Sequence, residues 1–117
     1  MSWTAAGGAG KAAVAWYGTL DDSITDDTRW YLFVAASLDA DSATPHWQVA
    51  IADPDPVVVG DLGRQLLDFL QVEIGPDGAI HVAYSSLHAA DGTEEHLRYV
   101  HSEPTLPLAA NKYAFGP

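Results

Sequence analysis

The chain is predicted to be all-β, built from antiparallel meander sheets. Its apolar stretches are short and rich in aromatic and β-branched residues, and Gly, Pro and Asp clusters separate them. A glycine turn followed by an aromatic strand also occurs twice. The 117 residues make one small domain, 1–117, or a few repeat units. With 48% hydrophobic residues and four Trp, a packed core is expected rather than a disordered tail.

Lys11–Thr19 and Arg29–Leu38 read as the first two clear strands. In His46–Asp53, Trp47, Val49 and Ile51 alternate with His46, Gln48 and Ala50, the period of a half-buried strand. Asp53-Pro54-Asp55-Pro56 ends it, because two prolines have no N–H to give a ladder. Leu66–Ile74 is apolar enough for a buried strand, although Leu66, Leu67 and Leu70 also share a helical face. Val72 and Ile74 lead straight into Gly75-Pro76-Asp77-Gly78, and that turn favours the strand: Pro presets φ and Gly accepts positive φ. Ala79–Ser86 and His96–Ser102 follow as strands. Beyond Pro104, Ala109–Gly116 reads as an edge strand or a strap.

The repeat organises these pieces. Gly10–Trp16 matches Gly78–Tyr84 at an offset of 78 − 10 = 68, and Trp30–Val34 lies over His96–Val100 at 96 − 30 = 66. Residues 1–56 and 57–117 are therefore expected to be two diverged copies of one meander.

Several segments resemble the sialidase-like β-propeller family with neuraminidase repeats. They are Ala15–Thr19, Trp30–Ala40, Gly60-Asp61 followed by Arg64–Phe69, and Gly75–Tyr84 closing with Leu97–Val100. The likeness spans roughly residues 8 to 102. It implies two β-propeller-type blades of four antiparallel strands, named a to d outward from an axis. Lys11–Thr19, Arg29–Leu38 and His46–Asp53 would be b, c and d of one blade, with Met1–Ala6 the available source of its strand a. Leu66–Ile74, Ala79–Ser86 and His96–Ser102 would be a, b and c of the next, followed by the C-terminal strap. Ser37-Leu38-Asp39, running on to Thr44-Pro45-His46-Trp47, looks like a degraded Asp box that lacks the central glycine.

A closed propeller needs about six blades. Two alone leave apolar faces and unpaired edges, so a homo-oligomer or a partner chain completing the propeller is expected. Propeller connectivity would place the loops Asp21–Thr28, Pro54–Gln65 and Leu87–Glu95 on one face, the expected ligand surface. The candidate ligand-binding residues there are Arg64, Asp68, Asp61 and Arg29. Arg64 is able to hold a carboxylate bidentately or to pair with Asp68 or Asp61. In the resembled family, sialidase chemistry needs three converging arginines, a tyrosine nucleophile with its acidic partner, and an acid, and the chain has only Arg29, Arg64 and Arg98. The expectation is a non-catalytic binding or assembly unit, with a glycan as a possible ligand. The alternatives are a sialidase-like glycoside hydrolase fragment or a structural subunit of a larger complex.

Composition narrows the partners. Asp+Glu 16 against Lys+Arg 5 gives −11, which repels phosphate backbones and anionic lipid and argues against nucleic acid and membrane. No apolar run approaches the roughly 18 residues of a spanning helix, and the N-terminus has no signal-peptide pattern, although members of the resembled family are often secreted. Without cysteine, disulfides and thiolate metal sites are excluded. No cofactor or metal is expected: Asp21, Asp22, Asp26 and Asp27 fit no Ca²⁺ loop, and His81, His96 and His101 read as separate surface histidines. There is no phosphate-binding glycine loop, Gly-x-Ser-x-Gly elbow or Ser-His-Asp triad.

Overall fold

The computed structural model describes residues 2–60, 69–87, 96–102 and 115–116. All regular structure among them is strand. The first sheet has the order β1 (Ser2–Ala6), β2 (Ala12–Thr19), β3 (Arg29–Ser37) and β4 (Gln48–Ile51), with β5 (Val58–Val59) also pairing β3. The second runs β6 (Leu70–Ile74), β7 (Ile80–Ser86), β8 (His96–Ser102) and β9 (Phe115–Gly116). Every pairing is antiparallel and joins strands in chain order, apart from β5 returning to β3. Both sheets are thus meanders.

The two meanders repeat each other in their backbone. In the first hairpin the Gly7 N–H donates to the Lys11 carbonyl at 2.9 Å, and in the second the Gly75 N–H donates to the Ala79 carbonyl at 2.8 Å. Gly10 and Gly78 occupy the same place in these turns, both at positive φ (76° and 85°). A Cβ on Gly10 would also lie 2.5 Å from the Leu38 carbonyl oxygen, so only glycine fits. On the second strand the offset is 68, as expected. On the third it is 65 rather than 66: Trp16 pairs with Phe33 where Tyr84 pairs with Arg98, and 98 − 33 = 65. Matching aromatic to aromatic in sequence slips that strand by one residue, which reverses every side chain's face.

Alternation divides each sheet. Ala13, Ala15, Leu32, Val34, Ala36, Ala50 and Ala52 of the first face Leu70, Val72, Ile80, Val82, Tyr84 and Val100 of the second in one buried cluster. Five of those seven first-sheet residues are alanines, so the second sheet approaches closely, with β6 lying against β1 and β2, and Val57 and Val58 join the same cluster. Each fully buried Leu or Val contributes roughly 1.5–3 kcal/mol. Summed, this layer outweighs any single polar contact between the sheets.

Three polar joints set the sheets' relative position. Tyr17 of β2 reaches across: its hydroxyl donates to the Phe69 carbonyl at 2.9 Å and accepts from the Ser85 N–H at 3.1 Å. Val57, fully buried, donates its N–H to the Trp30 carbonyl and accepts at its carbonyl from the Leu87 N–H, both at 2.7 Å. The third joint is Asp53.

Candidate functional site

Asp53 follows β4 and is 8% exposed. Its Oδ1 accepts the Asp55 N–H at 2.9 Å, the turn geometry that Asp-Pro-Asp-Pro favours. Its Oδ2 accepts the Tyr84 hydroxyl at 2.5 Å and stands 3.5 Å from Arg98 Nη1. Tyr84 and Arg98 are cross-strand partners on β7 and β8, so one carboxylate from the first sheet clamps two strands of the second. Burial, and then the bond to Asp53, push the Tyr84 hydroxyl above the usual tyrosine range. Tyr84 is only 1% exposed, so its hydroxyl has no open approach for a substrate. The cluster is a structural joint.

Of the candidates named from sequence, Arg29 alone is among the described residues. Arg64, Asp68 and Asp61 lie outside the described residues. Arg29 opens β3, exposed, on the face of the first sheet turned away from the core, and its N–H donates to Asp21 Oδ2 at 3.4 Å. Arg98 lies between the sheets at Asp53. Arg29 and Arg98 therefore cannot grip one carboxylate. The long loops do meet in their described parts, where the Gly60 N–H donates to the Thr28 carbonyl and the Leu87 N–H to that of Val57. Beside them Leu20, Asp21, Asp22, Ser23, Thr25 and Asp27 line a wide, solvent-open hollow. No group of His, Cys, Asp or Glu among the described residues could hold a metal ion.

The turn after β3 is well tied. Asp39 Oδ1 accepts the Ser37 hydroxyl at 3.0 Å and the His46 N–H at 2.8 Å, while Oδ2 lies 2.8 Å from His46 Nδ1. The two contacts with His46, side chain first, hold the Asp39 carboxyl down to about 2. A depressed carboxylate pKa stabilises above the unfolded value, 3.8, and the contribution is lost as pH falls through about 2. The Asp39 side-chain carboxyl carbon resonance is expected to titrate with a midpoint near 2; a midpoint at 3.8 would show an unpaired carboxylate.

The outward faces carry the feature that sequence reasoning missed. On the second sheet His81, Tyr99 and His101 form one stack, with ring centroids 5.8–6.1 Å apart. His81 Nδ1 meets the Tyr99 hydroxyl at 2.5 Å. Gln71, Glu73, His81, Ala83 and Tyr99 line a shallow cavity of about 230 Å³ over this face, and Phe69 and Leu97 extend it, both exposed. The signal was available: counting back across the β7–β8 hairpin puts His81 opposite His101. On the first sheet Trp16 stacks on Phe33 at 5.6 Å, the rings lying over Gly18, with Val14, Val49 and Ile51 alongside. Among the described residues no buried side-chain polar atom lacks a hydrogen-bond partner. Compared with known proteins, the chain matches no family model, no curated protein and no solved structure.

Proposed function

We propose that the chain is a non-catalytic binding and assembly unit, two propeller-type blades of the sialidase-like kind, working through its open sheet faces. The observation that carries the reading is the pair of outward faces. Val49 is 58% exposed on one, and Leu97 and Tyr99 are 70% and 47% exposed on the other. A small domain that leaves aromatic and aliphatic side chains grouped on two sheet faces presents them to something. The meander order of each sheet, the shared hairpin geometry and the Ser37–Asp39–His46 turn support the blade likeness.

Against the hydrolase alternative stand the separation of Arg29 from Arg98 and the burial of Tyr84, which is closed to a substrate. A fluorogenic sialoside is expected to show no turnover above buffer. Turnover that disappears in Arg64→Ala would overturn the non-catalytic reading. The sequence-level expectation of a long-loop ligand surface depends on residues 61–68 and 88–95, outside the described part, so the proposal rests on the sheet faces instead.

A further inference from the structure

The register makes the two sheets' faces equivalent in a crossed sense. At the offset of 68, Thr4, Val14 and Trp16, which face outward on the first sheet, correspond to Val72, Val82 and Tyr84, which face inward on the second. Conversely Ala13 and Ala15, inward on the first sheet, correspond to His81 and Ala83, outward on the second. The interface inside the chain is therefore heterologous: one kind of face meets the other kind. Each molecule still shows one free example of each. The first sheet's outward face is of the kind that is buried on the second sheet, and the reverse holds for the second sheet.

We infer that the occupant of these faces is a second copy of this chain, docked head-to-tail, with the outward face of one copy's first sheet on the outward face of the next copy's second sheet. This rests on the reading of the chain as an assembly unit and names its partner. The geometry of the joint is already realised once within each molecule, where β6 lies against β1 and β2, and the same placement carries the next copy's β1 onto β6 and β7. A heterologous joint propagates, and it closes into a ring when its rotation divides a full turn.

Chemistry sets the strength. The first sheet contributes an apolar face in Val14, Trp16, Phe33 and Ile51, whereas the second contributes a mixed one in Gln71, Glu73, His81 and Tyr99. Such a contact has the polarity of a reversible interface rather than a permanent one. Copies of charge −11 also repel, so association strengthens as salt screens them.

Paired face variants test this by sedimentation velocity, with circular dichroism to check folding. Val14→Glu blocks the first sheet's outward face and Ala83→Glu the second's; Thr4→Glu and Gln71→Glu, at exposed positions, do the same if the first pair fails to fold. The wild type is expected to associate reversibly, and each variant alone to lose at least about tenfold in association, because a charge would be buried unpaired. An equimolar mixture of the two variants is expected to recover a dimer and nothing larger, through the one joint left intact. Three results would overturn the inference: an Ala83→Glu variant that associates alone, which means like faces meet; a mixture that stays monomeric; or a monomeric wild type. None of these is turnover of the sialoside, the result that would overturn the broader reading.

Discussion

Replacing Leu32 by Ala is expected to cost about 3–5 kcal/mol, since the side chain is fully buried and its loss leaves a cavity. Leu32 sits in β3, opposite Tyr17 and against the second sheet's core, where the neighbouring Ala15, Ala50 and Ala52 are too short to collapse into the space. A domain of this size has roughly 5–15 kcal/mol in total, so the variant keeps only part of it. Urea unfolding followed by tryptophan emission measures the loss as a lower midpoint at unchanged slope. Val49→Ala, on the outward face of β4, is expected to stay within about 0.5 kcal/mol of wild type. Equal losses at the two positions would mean that the sheets do not pack on the face assigned here.

Asp53→Ala is expected to destabilise by about 2–4 kcal/mol, chiefly because it strands the Tyr84 hydroxyl, which is 1% exposed, without an acceptor. Tyr84→Phe is expected to cost less, about 1–2 kcal/mol, because Asp53 keeps the Asp55 N–H and Arg98. The order of the two losses identifies the carboxylate as the organising group. A pH arm follows from the same bond. Folding raises the Tyr84 pKa, so the folded chain holds that proton more tightly than the unfolded chain does. The resulting stabilisation is complete below the ordinary tyrosine value, 10.0, and is lost as pH rises beyond it. Wild type is expected to lose more stability than Tyr84→Phe above that pH. Parallel losses in the two proteins would place the titration elsewhere.

Much of the fold was legible from local pattern. The Pro-Asp-Gly turn, the alternation after His46 and the aromatic runs of β2, β3, β7 and β8 each follow from backbone rules that act within a few residues. β1 was less so: Ser2–Ala6 has mostly exposed, short side chains, and its strand is imposed by pairing with β2 rather than by its own pattern. β4 begins at Gln48 rather than His46, because the His46 N–H is taken by Asp39. β6 starts at Leu70, and the Leu66–Asp68 part of its predicted strand lies outside the described residues.

Sites were harder to read than strands, because a site depends on register between strands. His81 and His101 were read as separate histidines, but they share one stack with Tyr99, because counting along a single strand gives no pairing across the hairpin and the stack exists only through that pairing. Tyr17, Trp30 and Tyr84 point inward, whereas Trp16, Phe33 and Tyr99 turn outward, a division that register alone decides. The carboxylate that matters most structurally, Asp53, was read only as part of a strand-ending turn, because its partners lie 31 and 45 residues away.

The central claim is that the outward faces are copies of the buried ones and are covered by the same chain. Sedimentation equilibrium of the unaltered protein, from micromolar to millimolar and at low and high salt, tests it most directly. The account predicts an average mass that climbs above the 12.5 kDa of one chain with concentration, and climbs further with salt. A mass of 12.5 kDa at every concentration and salt would contradict it.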